Sequence, residues 1–247
     1  MSFFEKLALR QADAVVSVSE YTADRTRELF GLSGAIRTIH NAVNVPEHFA
    51  RKDDYREARR AVYFGTLAEK KGVLPLAEAW RIFIERNPGW QLTVIGRDTV
   101  SGRTSMKEQM LQTLGEARNT VEFKGFLPNE EVLAQLAKFD FAVLPSFSES
   151  FGLVSLESMA LGLPTIFTRL SSGPEIISDG VDGWLCDPRS VGDLAHAITR
   201  AAASAEDRER IGRNARAKAE NQFGYDRFVQ RNLDFYNELL RQHAIRQ

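Results

Sequence analysis

The sequence predicts an α/β fold, a parallel sheet with helices on both faces, and three observations predict it. Short apolar runs rich in β-branched residues recur along the chain. Helical patterns fill the intervals between them. Most of the runs stop at a glycine or proline where a loop begins. Strands buried on both faces read as continuous apolar runs of this kind, and helices between successive strands make them parallel. With 247 residues, the chain can bury a full core as one large domain or two small ones.

Taken in order, residues 14–18 read as a short strand. Ser19 is placed to cap a helix over Glu20–Phe30, and Gly31 to stop it. Residues 35–39 form a second short strand, followed by His40-Asn41-Ala42-Val43-Asn44 as a turn. Residues 51–60 carry six charged side chains in their first seven positions and read as a surface linker. A more regular unit begins with the strand 61–64, which leads through residues 65–72 into a helix. That helix places Leu76, Ala79, Trp80, Phe83 and Ile84 on one face.

Strands 91–95 and 120–124 end at Gly96 and Gly125, and 139–144 ends at Pro145. The strand 165–168 stops before the turn Ser171-Ser172-Gly173-Pro174. Helices are expected over 107–115, 129–138, 151–161, 191–203, 205–221 and 225–241. The last presents Phe228, Leu233, Phe235, Tyr236 and Leu239, which fits either burial against the main sheet or a patch left open to another domain or copy.

Composition excludes several function classes. Apolar residues make up 43% and charged residues 26%, as in an ordinary folded soluble protein. Lys plus Arg number 32 against 33 acidic residues, without the basic footprint of a nucleic-acid binder. The single Cys186 allows no internal disulfide and no cysteine-based metal cluster. The four histidines, His40, His48, His196 and His243, are scattered without metal-ligand spacing. No signal peptide opens the chain and no run approaches the eighteen or so apolar residues of a membrane span, so a cytoplasmic protein is expected.

In such sheets, ligands bind where the strand C-terminal ends open into loops. Gly65, Lys71, Gly96, Gly125, Glu149, Gly152 and Gly173 all fall there, which points to one cleft. Two phosphate-loop lookalikes fail. The run from Gly96 to Thr104 has five residues between its glycines and Arg103 where a P-loop needs Lys, and no strand is followed by Gly-x-Gly-x-x-Gly. Ser146 lacks the context of a hydrolase nucleophile.

The richest stretch runs from Glu149 to Pro164, with a carboxylate in a loop, a glycine turn at Gly152, and a second carboxylate, Glu157, on the helix beyond. Backbone amides at such a turn suit an anion, and the carboxylates suit hydroxyls, a combination fitted to a nucleotide sugar. The residues alone leave alternatives open. Lys71 is either a phosphate-binding cation or part of a solvated cluster with Glu69 and Lys70. Glu149 either meets ligand or favours the helix N-terminus beside it. Glu157 borders the core and needs a partner, which ribose hydroxyls, an arginine or backbone amides could supply.

These residues resemble glycosyltransferase family four, retaining nucleotide-sugar enzymes built from two Rossmann-like domains in the GT-B arrangement. Glu149 and Glu157 reproduce the family's Glu-x7-Glu motif, with Pro145-Ser146 before it and Ser150-Phe151-Gly152-Leu153 inside it. Gly65…Lys71-Gly72, Val121-Glu122-Phe123-Lys124-Gly125, Pro174-Glu175-Ile176-Ile177 and His40-Asn41-Ala42-Val43-Asn44 also resemble family segments, in the expected order. The resemblance runs from about residue 12 to 203.

By position, the resemblance implies that Glu149 grips donor-sugar hydroxyls and Lys71 stabilises the diphosphate leaving group, these two being the catalytic candidates. Phe151, Gly152 and Leu153 would meet sugar and diphosphate through their backbone, and Glu157 would hold the ribose. Gly125, Phe126 and Leu127 would lie beside the base, with Gly65 and Thr66 on the facing loop. No metal or cofactor is implied, and electrostatic positioning carries the chemistry. Thr66 stands where the family has Arg, so Lys70 or Arg97 would replace the missing charge, or turnover would be differently tuned. Ala42 replaces a glycine and excludes a strongly positive φ there.

The resemblance divides the chain into residues 1–50, the tail and junction of an acceptor domain, 51–222, the donor-binding domain, and 223–247, a closing helix. It is expected to supply the donor-binding half of a transferase acting on a glycan or lipid-linked acceptor, incomplete for transfer by itself. The partners implied are a nucleotide sugar and, through the first domain, the acceptor; self-association or contact with the inner membrane face would follow from uncovered apolar surface. The competing reading is a non-catalytic nucleotide-sugar binding module that works with a partner subunit.

Overall fold

The computed structural model describes residues 3–46 and 58–245. The chain opens with α1 (Phe3–Gln11), then β1 (Val15–Ser17), α2 (Glu20–Phe30) and β2 (Ile36–Thr38). β1 and β2 pair in parallel as a two-stranded sheet. Ser19 caps α2 by accepting the Thr22 amide, and Gly31 ends it in the left-handed region at φ 59°. Both signals are local, and both ends fall where the sequence put them. Ala42 takes no positive φ. Most of the linker expected over 51–60 lies outside the described residues.

The main sheet has six parallel strands, β3 (Arg60–Phe64), β4 (Gln91–Ile95), β7 (Val121–Gly125), β8 (Phe141–Leu144), β9 (Thr165–Thr168) and β10 (Trp184–Cys186). Their order is β10-β9-β8-β3-β4-β7. All four residues of both β8 and β9 are buried, as a strand covered on two faces requires. Between the strands lie α3 (Val73–Arg86), α4 (Met106–Leu114), α5 (Asn129–Leu136), α6 (Leu153–Ala160), α7 (Gly173–Ile176) and α8 (Val191–Ala203). α3 packs against α4 and α8, while α6 packs against α9 (Ala205–Phe223). The expected face of α3 is its core face, with Leu76, Ala79, Trp80 and Phe83 buried.

From β3 the chain builds outward through β4 to β7, then returns to β8 and builds the other way. The switch point lies between β3 and β8, so the loops that leave these two strands face each other across a crevice. One carries Lys71 and the other Glu149.

Several expectations need correction. The helix placed at 151–161 begins at Leu153, because Gly152 turns through φ 86° and Phe151 is buried before it. α1, β10, α7 and the small hairpin β5 (Val100–Ser101) with β6 (Thr104–Ser105) were not expected from sequence. The final helix, α10 (Tyr225–Ile245), is not wholly buried: Phe235 is, but Leu233 and Tyr236 are 51% and 58% exposed. α9 reaches Phe223, two residues past the helix expected over 205–221. None of the helices among the described residues is long and apolar enough to cross a membrane.

Candidate functional site

The crevice holds a groove with two ends. At one end Lys71 and Glu149 meet, Nζ to Oε1, at 2.6 Å. Lys71 sits at the end of a short 3₁₀ turn, Glu69–Lys71, that enters α3. Its cluster with Glu69 does not form; Glu69 accepts a hydrogen bond from Ser101 Oγ at 2.7 Å instead. Glu149 likewise spends its carboxylate on Lys71 rather than on α6, whose start has no side-chain cap. With the two side chains only 24% and 11% exposed, the pair is shielded from solvent far more than a surface ion pair.

The backbone of Glu149 is held as firmly as its side chain. Its N–H donates to Ser171 Oγ at 3.0 Å, and its carbonyl accepts from Ser172 Oγ at 3.1 Å. Ser171 adopts φ 54°, a left-handed conformation uncommon for a residue with a Cβ. Beneath the pair, the Tyr63 hydroxyl donates to the Thr66 carbonyl at 2.8 Å. Burial, and then the nearby negative charge of Glu149, push the Tyr63 phenol well above its ordinary range, so it stays a neutral donor.

At the other end, Glu157 lines a cleft of ≈ 460 Å³ with Thr66, Arg97, Phe126, Leu127 and Asn129. Its partner is neither an arginine nor backbone amides: Asn129 Nδ2 donates to its Oε1 at 3.1 Å. Desolvation raises the Glu157 pKa, and the Asn129 hydrogen bond offsets that only in part. Of the two cations considered to replace an arginine at Thr66, Arg97 lines this cleft; its guanidinium lies 5.3 Å over the Phe126 ring. Gly125 does not line the cleft itself; its carbonyl accepts the amide of Gly96, which does, at 2.8 Å.

The two ends are joined. Gly65 and Val154 line both the Glu157 cleft and the small hollow around Lys71 and Glu149. Beyond the ion pair a further space of ≈ 300 Å³ is walled by Phe151, Gly152 and Leu153, and on its far side by Val18 and Asn41 of the N-terminal segment. A Cβ on Gly152 would lie 2.4 Å from the Phe167 ring, so only glycine lets the backbone approach there. Among the described residues no group of three or more His, Cys, Asp or Glu is arranged to hold a metal.

Gly65, Thr66, Lys71, Phe126, Leu127, Glu149, Phe151, Gly152, Leu153 and Glu157 therefore line one groove, while Gly125 and Gly173 stand behind its lining. Tyr63, Asn129, Ser171 and Ser172 are the additions, and none carried a sequence signal; Tyr63 holds a carbonyl three positions on, and the other three act through contacts formed only by the fold.

A doubly wound parallel sheet with a groove at its switch point is shared with glycosyltransferases of the GT-B fold, which this chain superposes on. The chain belongs to the glycosyl transferases group 1 family, which residues 44–218 match, while residues 1–47 match glycosyltransferase family 4. Glycogen synthase of Mycobacterium tuberculosis is 30% identical over 223 residues, 90% of this chain and 53% of that protein. The N-acetyl-alpha-D-glucosaminyl L-malate synthase of Bacillus anthracis is 28% identical across 96% of this chain and 62% of its own length. Among solved structures, sucrose-phosphate synthase from Thermosynechococcus elongatus superposes with a TM-score of 0.81 at 25% identity, covering 96% of this chain and 61% of that one. Anabaena HepE in complex with UDP-glucose gives 0.78 at 23%, covering 94% and 65%. The chain thus spans between about half and two thirds of these relatives.

Proposed function

We propose that this chain binds the nucleotide-diphosphate sugar donor of a glycosyl transfer, with the diphosphate at Lys71, the ribose at Glu157 and the sugar in the space beyond Glu149. One observation carries the reading: residues 71, 149 and 157, from three separate loops and helices, line one continuous groove at the switch point of the sheet. HepE, a structural neighbour, was solved with UDP-glucose, which supports the ligand class.

In this reading Lys71 compensates the charge that develops on the diphosphate as the glycosidic bond breaks, and Glu149 both orients Lys71 and accepts sugar hydroxyls. Arg97, at the Glu157 end, supplies a second positive charge within the same groove. Transfer with retention at the anomeric carbon, to a glycan or glycolipid, is proposed for the chain acting together with an acceptor-binding domain. A labelled-donor assay with cell-derived acceptors, run with and without such a domain, tests it; label left wholly on the donor in both arms favours the non-catalytic binding module.

Glu157→Gln is expected to weaken binding of a ribonucleotide far more than of its 2′-deoxy analogue. A carboxylate accepts from both ribose hydroxyls, whereas an amide has one acceptor oxygen and adds donors. Calorimetry with both nucleotides checks this. Equal losses would make Glu157 a structural partner of Asn129 only.

A further inference from the structure

Three segments distant in sequence meet beside the groove, and one carboxylate joins them. Glu175 lies on α7, just past the serines that bracket Glu149. Its side chain turns to the N-terminal segment. The amides of Glu20 and Tyr21 donate to its two oxygens at 2.8 and 2.9 Å, and His40 Nε2 lies 3.2 Å from Oε2. Those amides open α2 and have no partner within the helix.

The same end of α2 reaches the donor loop. Ser19 and Thr22 donate their hydroxyl protons to the Ser150 carbonyl at 2.6 and 3.1 Å. His40 stacks on Phe151 with ring centroids 5.2 Å apart. Ser150 and Phe151 are the two residues between Glu149 and Gly152. The contacts that Glu175 makes therefore converge on the loop that carries Glu149.

We propose that Glu175 is a positioning residue. By docking α2 onto Ser150 and His40 onto Phe151 it sets the loop carrying Glu149, and with it the sugar-binding end of the groove, while the nucleotide end is held independently by Glu157 and Asn129. The inference rests on the donor-site reading above. It assigns residues 15–46 a direct part in donor geometry: closing the N-terminal segment onto Glu175 completes the sugar site. A carboxylate suits this task because it only accepts, and two amides donate to it while the His40 ring nitrogen faces it. Glutamine in its place turns an N–H group toward one of those donors, and aspartate is too short to span the gap.

The test compares wild type with Glu175→Gln, Glu175→Asp and Ser19→Ala by two readouts. In amide hydrogen exchange, residues 149–152 should exchange about tenfold faster in the Glu175 variants, with α3 unchanged. In calorimetry with UDP and UDP-glucose, the variants should keep their UDP affinity and lose roughly fivefold or more for UDP-glucose. Ser19→Ala leaves Glu175 in place, so it gives the same directions even where a Glu175 variant fails to fold. Unchanged exchange at 149–152, or equal losses for UDP and UDP-glucose, would overturn the proposal. A wild type that binds neither UDP nor UDP-glucose counts against the donor-site reading for this nucleotide, and the exchange arm then decides the link between Glu175 and the loop by itself.

Discussion

Lys71→Ala is expected to lower affinity for a nucleoside diphosphate by about ten- to a hundredfold, because charge-assisted hydrogen bonds contribute roughly 1.5–3 kcal/mol. Affinity for the matching monophosphate should change much less, since the reading puts the second phosphate beside Lys71. The substitution also leaves the Glu149 carboxylate, 11% exposed, without its partner at the sugar end of the groove. An uncompensated charge of that kind is costly and repels a phosphate. The two effects act together on the diphosphate. Titrations of wild type and variant with both nucleotides check the expectation, and unchanged diphosphate affinity would contradict it.

Gly72→Ala should be among the most damaging single changes in the molecule. Gly72 starts α3 at φ 70°, and a Cβ there would lie 1.9 Å from the Pro145 carbonyl oxygen. A left-handed residue with a Cβ loses about 1–2 kcal/mol. Overpacking against a fixed backbone adds roughly 1–3 kcal/mol. The loop 65–72 must therefore move away from the loop after β8, the approach that brings Lys71 to Glu149. Thermal unfolding should drop by on the order of 10 °C, with donor binding lost in parallel. A variant with the wild-type midpoint would show that the close approach is not required.

The parts of the fold legible in the sequence were those set by neighbouring residues. α2 could be read to its ends because Ser19 and Gly31 are local punctuation. β4 and β9 could be read because each is a short run rich in apolar and β-branched residues, closed by a glycine or a turn. β10 could not, since Trp184-Leu185-Cys186 has no β-branched residue, whereas the equally short β1 and β2 do. The start of α6 was misplaced because Phe151 is an apolar residue beside a helical pattern. Its burial and its stacking on His40 are long-range facts that only the fold supplies.

The site divides the same way. Lys71, Glu149 and Glu157 stood out by their places at strand ends and on the following helix, and their roles came from the family resemblance. The pairing of Lys71 with Glu149 rather than Glu69 depends on the crossing of two loops 78 positions apart. Asn129 reaches Glu157 from another helix, and Ser171 and Ser172 bracket Glu149 from the loop after β9. Polar residues in loops are too common for such roles to stand out before the chain is folded.

The central claim is that one groove takes a nucleotide-diphosphate sugar. Calorimetric titration of the chain with UDP-, GDP-, ADP- and TDP-sugars, with the matching diphosphates and monophosphates alongside, tests it most directly. The account predicts binding of at least one sugar nucleotide at one site per chain, tighter for diphosphate than for monophosphate, and abolished together by changes at Lys71 and Glu157. A folded chain, shown by a cooperative melt, that binds none of them would contradict it.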